Sequence, residues 1–420
     1  MMDDAPYMSK RRRGDDGTAL NDAAANEAST IANDSTIAMQ KYVNTSKVTS
    51  SSSLPCPTLQ LTGHTGSVYS LKYSPSGSTL CSASFDMTCL LWQHRPIEYD
   101  IDDDDEYEYD IHHTNDPHNN VATYHNFHVL RGHKNAVLDC AWFTNDNRVI
   151  VTASADQTLM LWDIVSQQRL RKYTNHHTGI VNAVTTIDEH QFVSVSDDTS
   201  ILLWDRRSKY PTGTYTTNYP VLAVAASNGI VSDYQIYTAG IDPIIRIWDT
   251  RSTGNNSSRS KNNNNMKLEQ NQQLDQFHGH RDTVTCLSVH PEGTHLLSNS
   301  MDQSLMQWDV RPFVAAQEQQ QHQPHYNSLL LHPRHVRTYM GHQHSAEKGL
   351  LKCSWSADGT FVTAGSSDSR VHVWDVLSGQ ELYDLPGHKG CVNTVTFHPT
   401  ESTVIASGSS DKHIFVGELS

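Results

Sequence analysis

The chain has 420 residues, a formal net charge of −15 and a hydrophobic fraction of 37%. So acidic a balance excludes a protein that holds nucleic acid by bulk charge, because neutralising phosphates takes clustered Lys and Arg. No apolar run reaches the roughly 18 residues of a membrane span. The seven cysteines are scattered and never spaced as CxxC, which suits free thiols and not a disulfide framework or a zinc site.

Residues 1–55 are rich in Asn, Ala, Ser, Thr and Asp. They hold too little apolar surface to offset ordering entropy and read as a disordered tail. The opening "MMDDAPYMSKRRRGDD" has no apolar stretch after its charges, so it is not a secretory signal. Lys10, Arg11, Arg12 and Arg13 form a candidate nuclear import signal, with a solvated charge run as the plain alternative.

From residue 56 onward one period recurs. Trp92, Trp162, Trp204, Trp248, Trp308 and Trp374 fall 42 or 44 residues apart where no insertion intervenes. Five are followed by Asp; the first is followed by Gln93. Gly-His pairs precede them at 63–64, 132–133, 279–280 and 341–342, and a fifth lies at 387–388. The third repeat has His176-His177 in that place and the fourth has Asn218-Tyr219. Apolar residues after each pair are spaced by three and then two, as in Val68, Leu71 and Tyr73, which fits a strand entered through a bulge. Such a period is the WD-repeat signature of a β-propeller blade. Seven repeats predict an all-β, seven-bladed propeller over residues 56–420.

Three low-complexity stretches interrupt the period, near 95–126, 251–273 and 314–328, and read as insertions. The acidic first one, Asp100–Asp110 with His112 and His113 nearby, is a solvated charge run before it is a cation chelator. All three follow the Trp position, so they should leave from one face.

A polar set recurs within the repeats: His64, Ser82, Asp86, Trp92; His133, Thr152, Asp156, Trp162; His177, Ser194, Asp198, Trp204; and His280, Ser298, Asp302, Trp308. Ser, His and Asp together invite a triad reading, but a nucleophilic site needs one such set in one pocket. Four copies in register read as scaffolding. The sixth repeat departs, with Ala364 in place of the hydroxyl and either His342 or His344 as its loop His. No P-loop, metal-ligating spacing, cofactor motif or unique nucleophile is present, so no enzyme, cofactor or metal is expected.

The end "SSDKHIFVGELS" places Gly417-Glu418 where Trp-Asp stands elsewhere, with no residues beyond for an outer strand. "PTLQLT", residues 57–62, precedes the first Gly-His with no earlier blade to complete. The two should pair, the N-terminal strand closing the last blade. The uncluttered face then carries the Gly-His loops and Asp turns, and its candidate partner-binding residues are Phe85, Lys134, Tyr219, Arg281, Met301 and Lys389.

Several stretches go beyond a generic propeller: "YPVLAVAAS" (219–227), "LLSNSMDQSLMQWDVRPF" (296–313), "EKGLLKCSWSADGTFVTAGSSDSRVHVWD" (347–375), "LPGHKG" (385–390) and the Gly-Glu ending. In these the chain resembles the WD-repeat subunits of the spliceosomal U5 small nuclear ribonucleoprotein. The resemblance implies a nuclear, non-catalytic scaffold in pre-mRNA splicing. It implies contact with the large U5 scaffold, pre-mRNA-processing factor eight, in a particle that also holds the U5 GTPase and helicase. RNA would be held by other subunits. The competing expectation is a WD-repeat adaptor of another nuclear complex, a transcriptional co-repressor or a ubiquitin-ligase substrate receptor.

Overall fold

The computed structural model describes residues 58–95, 123–227, 234–252, 273–312, 332–345 and 349–419. The tail 1–55 with its basic cluster and most of the three insertions lie outside these residues. The first strand is β1 (Thr58–Leu61). Blade one holds β2 (Val68–Tyr73), β3 (Thr79–Ser84), β4 (Thr88–Arg95) and β5 (Thr123–Arg131). Blade two holds β6 (Val137–Trp142), β7 (Val149–Ser154), β8 (Leu159–Asp163) and β9 (Gln168–Tyr173). Blade three holds β10 (Val181–Thr186), β11 (Gln191–Ser196), β12 (Ser200–Asp205) and β13 (Gly213–Thr216). Blade four holds β14 (Val221–Ala226), β15 (Gln235–Gly240), β16 (Ile245–Asp249) and β17 (Gln273–Phe277). Blade five holds β18 (Val284–Val289), β19 (His295–Ser300), β20 (Leu305–Asp309) and β21 (His335–Tyr339). Blade six holds β22 (Cys353–Trp355), β23 (Phe361–Gly365), β24 (Val371–Asp375) and β25 (Glu381–Leu385). Blade seven holds β26 (Val392–Phe397), β27 (Val404–Ser409) and β28 (Ile414–Glu418).

These strands make seven antiparallel four-stranded sheets, and the fourth member of the seventh is β1. β1 pairs with β28 from Thr58 opposite Gly417 to Leu61 opposite Ile414. In six blades the first pair of strands carries a bulge two residues after its start, between Val68 and Ser70 in blade one and between Val392 and Thr394 in blade seven. The three-then-two apolar spacing comes from that extra residue.

Each apolar layer lies between two blades. Leu71, Leu80 and Trp92 of blade one pack on Leu61, Val404, Ile414 and Val416 of blade seven. Val371 and Val373 of blade six meet Val392, Val395, Phe397 and Leu419 of blade seven in the same way. A twisted sheet with two apolar faces has to bury both, and a ring of blades does so. Side-chain bonds tie the inner strands around the ring: Asn393 Nδ2 donates to the Val68 carbonyl at 2.9 Å, and Asn182 Nδ2 donates to the Val221 carbonyl at 2.9 Å.

Two insertion boundaries differ from the expectation. Strand pairing runs through Arg95 and resumes at Thr123, so both ends of the 95–126 stretch belong to blade one. Tyr124 and Val129 pack on the layer towards blade seven and Phe127 on the layer towards blade two, and the bulge opposite Leu91 and Trp92, where Phe127 is the extra residue, sets these faces. The 251–273 stretch likewise begins within a 3-10 turn, Thr250–Ser252, and ends on the first residue of β17. The third stretch, 314–328, lies wholly outside the described residues. Each stretch joins the third strand of a blade to its outer strand, so all three open on one face.

Removing β1 would strip the cover from Ile414 and Val416 and leave β28 an open edge. Deletion of residues 1–55 should therefore preserve the melting temperature and its cooperativity. Deletion of residues 1–62 should lower both, and equal melting of the two truncations would show that β1 is dispensable for closure.

Candidate functional site

The face opposite the insertions is built from the loops that enter each blade and the turns between second and third strands. In blade one His64 Nδ1 lies 2.8 Å from Asp86 Oδ2 and His64 Nε2 lies 2.7 Å from Ser82 Oγ. Trp92 Nε1 donates to the same hydroxyl at 2.9 Å. An ionised carboxylate only accepts, so Nδ1 carries the proton, and in the neutral ring Nε2 accepts from the serine. The order is repeated by His133, Thr152, Asp156 and Trp162, by His177, Ser194, Asp198 and Trp204, and by His280, Ser298, Asp302 and Trp308. In every set a backbone N–H beside the His also donates to the Asp: Thr65, Lys134, Thr178 and Arg281. The network thus ties the entering loop to the turn.

The four hydroxyl residues, Ser82, Thr152, Ser194 and Ser298, are 0% exposed. Their oxygens are engaged by indole and imidazole, and no substrate reaches them. These sets are therefore not nucleophilic triads. Burial pushes each Asp carboxyl up, but the His bond, the hydroxyl at Thr88, Thr158, Ser200 or Ser304 and the loop N–H outweigh it. All four are held well below the usual carboxylate range.

The residue after the Asp turns into left-handed backbone, with φ of 68° at Met87, 66° at Gln157, 69° at Thr199 and 64° at Gln303. The Asp side chain, bonded to the backbone two residues on, holds this costly turn in place. The loop must come close as well. A Cβ added at Gly66 would lie 2.9 Å from the Asp86 nitrogen, and one at Gly179 would lie 2.7 Å from the Asp198 nitrogen.

A fifth set was not among the sequence assignments. His388 bridges Asp411 at 3.0 Å and Ser407 at 2.9 Å. Its signal was legible, since Asp411 follows Ser407 by four residues as Asp86 follows Ser82. What hid it was the lost Trp: Gly417 takes the Trp92 position opposite Ile405, and the Phe415 ring covers His388 at 4.5 Å instead.

The fourth and sixth repeats solve the turn differently. In the fourth, Trp248 donates to Thr238 at 2.7 Å, but Asp242 is held by Arg246 at 2.6 Å in place of a loop His. Pro243 follows Asp242, and its ring forbids the left-handed turn. In the sixth, neither candidate loop His reaches the turn. His372 of β24 holds Asp368 at 3.1 Å and Glu381 at 2.6 Å, and Trp374 donates to the Met340 carbonyl at 3.1 Å because Ala364 offers no hydroxyl. His342 instead donates from Nε2 to Asn299 of blade five at 2.8 Å, with His344 beside it, ring centroids 5.7 Å apart.

Of the six candidate contact residues, Phe85 and Tyr219 are 58% and 51% exposed, and Lys134, Arg281 and Lys389 are exposed as well. Met301 is only half-exposed, although its N–H bonds the Thr283 carbonyl just as the Phe85 N–H bonds the Ser67 carbonyl. Phe85 stands edge-on to Tyr69 of the innermost strand, so it sits at the channel mouth. The structure adds Met87, Ile180 and Ile241 as exposed apolar residues and Lys412 as an exposed cation on this face. Single residues of these types in turns carry no distinctive sequence pattern.

Asp302→Ala should lower stability by about 1–3 kcal/mol, since it leaves His280 and the Arg281 N–H without their acceptor. Unchanged denaturant unfolding would remove Asp302 from the structural role. The blade-six imidazoles give a pH dependence. Burial holds His342 at about 3 and His344 at about 4, both below the ordinary 6.5. The unfolded chain therefore takes up protons first as pH falls. Their contribution is complete above about pH 6.5 and is lost as pH falls to about 4 for His344 and about 3 for His342. The melting temperature should fall over that window, and His344→Gln should flatten the fall; identical profiles would take the ring out of the account.

Six stretches, 55–93, 125–163, 167–205, 271–309, 333–375 and 379–416, match the family described as WD domain, G-beta repeat. The fourth repeat lies outside these matches although β14–β17 form a blade, in keeping with its missing His and Asp-Pro turn. The chain is 34% identical over 370 residues to pre-mRNA-splicing factor cwf17 of Schizosaccharomyces pombe, covering 88% of this chain and 89% of that protein. It is 37% identical over 387 residues to the U5 small nuclear ribonucleoprotein 40 kDa protein of Homo sapiens, covering 88% and 85%. The Dictyostelium discoideum protein of the same name is 34% identical over 370 residues, covering 88% and 86%. The chain belongs to the WD-repeat family, in the group formed by the U5 small nuclear ribonucleoprotein 40 kDa proteins and cwf17.

Proposed function

We propose that the chain is a rigid, non-catalytic assembly subunit of the U5 small nuclear ribonucleoprotein, acting in pre-mRNA splicing in the nucleus. The observation that carries this reading is identity of 34–37% spread over 88% of the chain to relatives named for that particle or for splicing. The repeated polar sets support it by being spent on structure. Loops from all blades converge on one rigid face, which is how a scaffold presents contacts.

The partners of this reading are U5 particle proteins, chiefly the large scaffold pre-mRNA-processing factor eight, with the GTPase and helicase in the same particle. The net charge of −15 favours indirect rather than direct holding of RNA. Affinity purification of the tagged chain from nuclei should recover U5 RNA and these proteins. Recovery of a different nuclear assembly without splicing RNA would overturn the proposal.

The contact surface of this proposal is the face of the His loops and Asp turns. Phe85→Ala, Tyr219→Ala and Arg281→Glu together touch exposed side chains and spare every bond of the networks. The triple variant should weaken recovery of the U5 proteins about tenfold or more while the propeller melts as before. Full recovery would move the interface to the opposite face or the rim.

A further inference from the structure

The central channel is used by none of the features above. A cavity of about 600 Å³ lies within the innermost strands, and its lining includes Cys286, Lys72, Lys352 and Asp139. Cys286 on β18 is half-buried and faces this space, whereas Cys353 on β22 lies behind it at 4% exposure. The two strands open neighbouring blades, five and six. Cys286 Sγ lies 3.8 Å from the Cys353 carbonyl oxygen, and Cys286 packs against the apolar cluster that contains Cys353. Lys352 carries its ammonium across the channel to Asp139 and Ser70.

This is a pair of neighbouring cysteines, one lining the cavity and one shielded behind it, with Lys72 and Lys352 in the same cavity wall. We propose that Cys286 and Cys353 form a reversible thiol–disulfide pair in the channel wall, with Cys286 reacting first and a small hydroperoxide as oxidant. The Cys286 thiolate attacks the distal peroxide oxygen and the O–O bond breaks. Cys286 becomes a sulfenic acid, and the displaced hydroxide or alkoxide takes the proton that Cys286 gave up. Cys353 then attacks the sulfenic sulfur, the S–S bond forms, the S–O bond breaks, and water leaves with the Cys353 proton. Two thiols lose two electrons, and hydrogen peroxide is reduced to two waters. The product staples the innermost strands of blades five and six.

The electrostatics agree in direction. The Cys353 hydrogen bond, with Lys352 and Lys72 adding to it against burial, holds Cys286 down at about 7. Burial pushes Cys353 well above its ordinary value. Cys81 and Cys89, fully buried between blades one and two, are also raised. They serve as internal controls, being thiols of the same chain without a channel or an ammonium beside them.

Limiting iodoacetamide at pH 7 on the reduced full chain, read by peptide mass spectrometry, tests the first step. Cys286 should label about tenfold faster than Cys81, Cys89 and Cys353, and Lys72→Met should slow that labelling. Treatment with hydrogen peroxide should then give a 286–353 cross-linked peptide that reductant reverses. Cys353→Ser should stop the reaction at a Cys286 sulfenic acid that dimedone traps. Equal labelling of the cysteines overturns the proposal, as does a peroxide product at another pair in a chain that still melts normally. A Lys72→Met rate equal to the parent overturns the role of the ammonium.

Discussion

No blade of this propeller has a core of its own. Every apolar layer is shared, as where Leu61 and Val416 of one blade meet Leu71 and Trp92 of the next. A blade without a neighbour would present a bare apolar face on each side, so the rest of the structure depends on the ring being continuous. The inner strands, which line the channel, add directed bonds. Asp139 is their hub. Its carboxylate accepts from Ser70 of blade one, from the Val184 N–H of blade three and from Lys352 of blade six. Burial pushes this carboxyl up, yet Lys352 and Lys72 hold it below its ordinary value. A buried charge is tolerated only when fully paired, and here the pairing spans four of the seven blades.

The polar sets act at the next level. Shared apolar layers fix how blades stack but leave the loops free to wander. A chain of indole, hydroxyl, imidazole and carboxylate sets the height of each loop above its turn, because each link in it is a directed hydrogen bond. The three exceptions show which part of that chain matters. Blade four replaces His with Arg246, blade six replaces it with His372, and blade seven replaces Trp with a Phe that covers the ring. In each the turn Asp keeps a cationic or imidazole partner. The partner of the Asp is the constant element, and its origin in the chain is not.

Much of this was legible in the residues. The Trp period and the Gly-His pairs located seven blades, and the three-then-two spacing located the bulges. The four complete polar sets could be aligned in the sequence, since hydroxyl and Trp lie 10 residues apart in each and the His precedes the hydroxyl by 17 to 19. What stayed hidden was either non-local or degenerate. Asp139 and Lys352 are 213 positions apart and carry no motif. The blade-six assignment, His342 or His344, failed because sequence offsets point only within a repeat, whereas His342 bonds Asn299 of the preceding blade. The 95–126 stretch hid part of β5 because low complexity, and a bulge at Phe127, break the alternation between Tyr124 and Val129.

Fold and surface are separable on the face of the loops and turns. Lys134, Arg281 and Lys389 each give their backbone N–H to a turn Asp, at 2.9, 2.8 and 2.8 Å, and leave the side chain in solvent. Any residue with an N–H serves the network at these positions, so the side chain is free to suit a partner. The turn positions obey the same rule with one further restriction. Met87, Gln157, Thr199, Gln303 and Lys412 occupy left-handed backbone, where φ runs from 64° to 76°, and even the β-branched Thr199 is accepted there. The scaffold thus imposes a backbone on these sites and almost nothing on their chemistry. That is why a face built from near-identical repeats displays aromatic, aliphatic and basic residues at equivalent places, and why its recognition properties have to be read from individual side chains and not from the repeat.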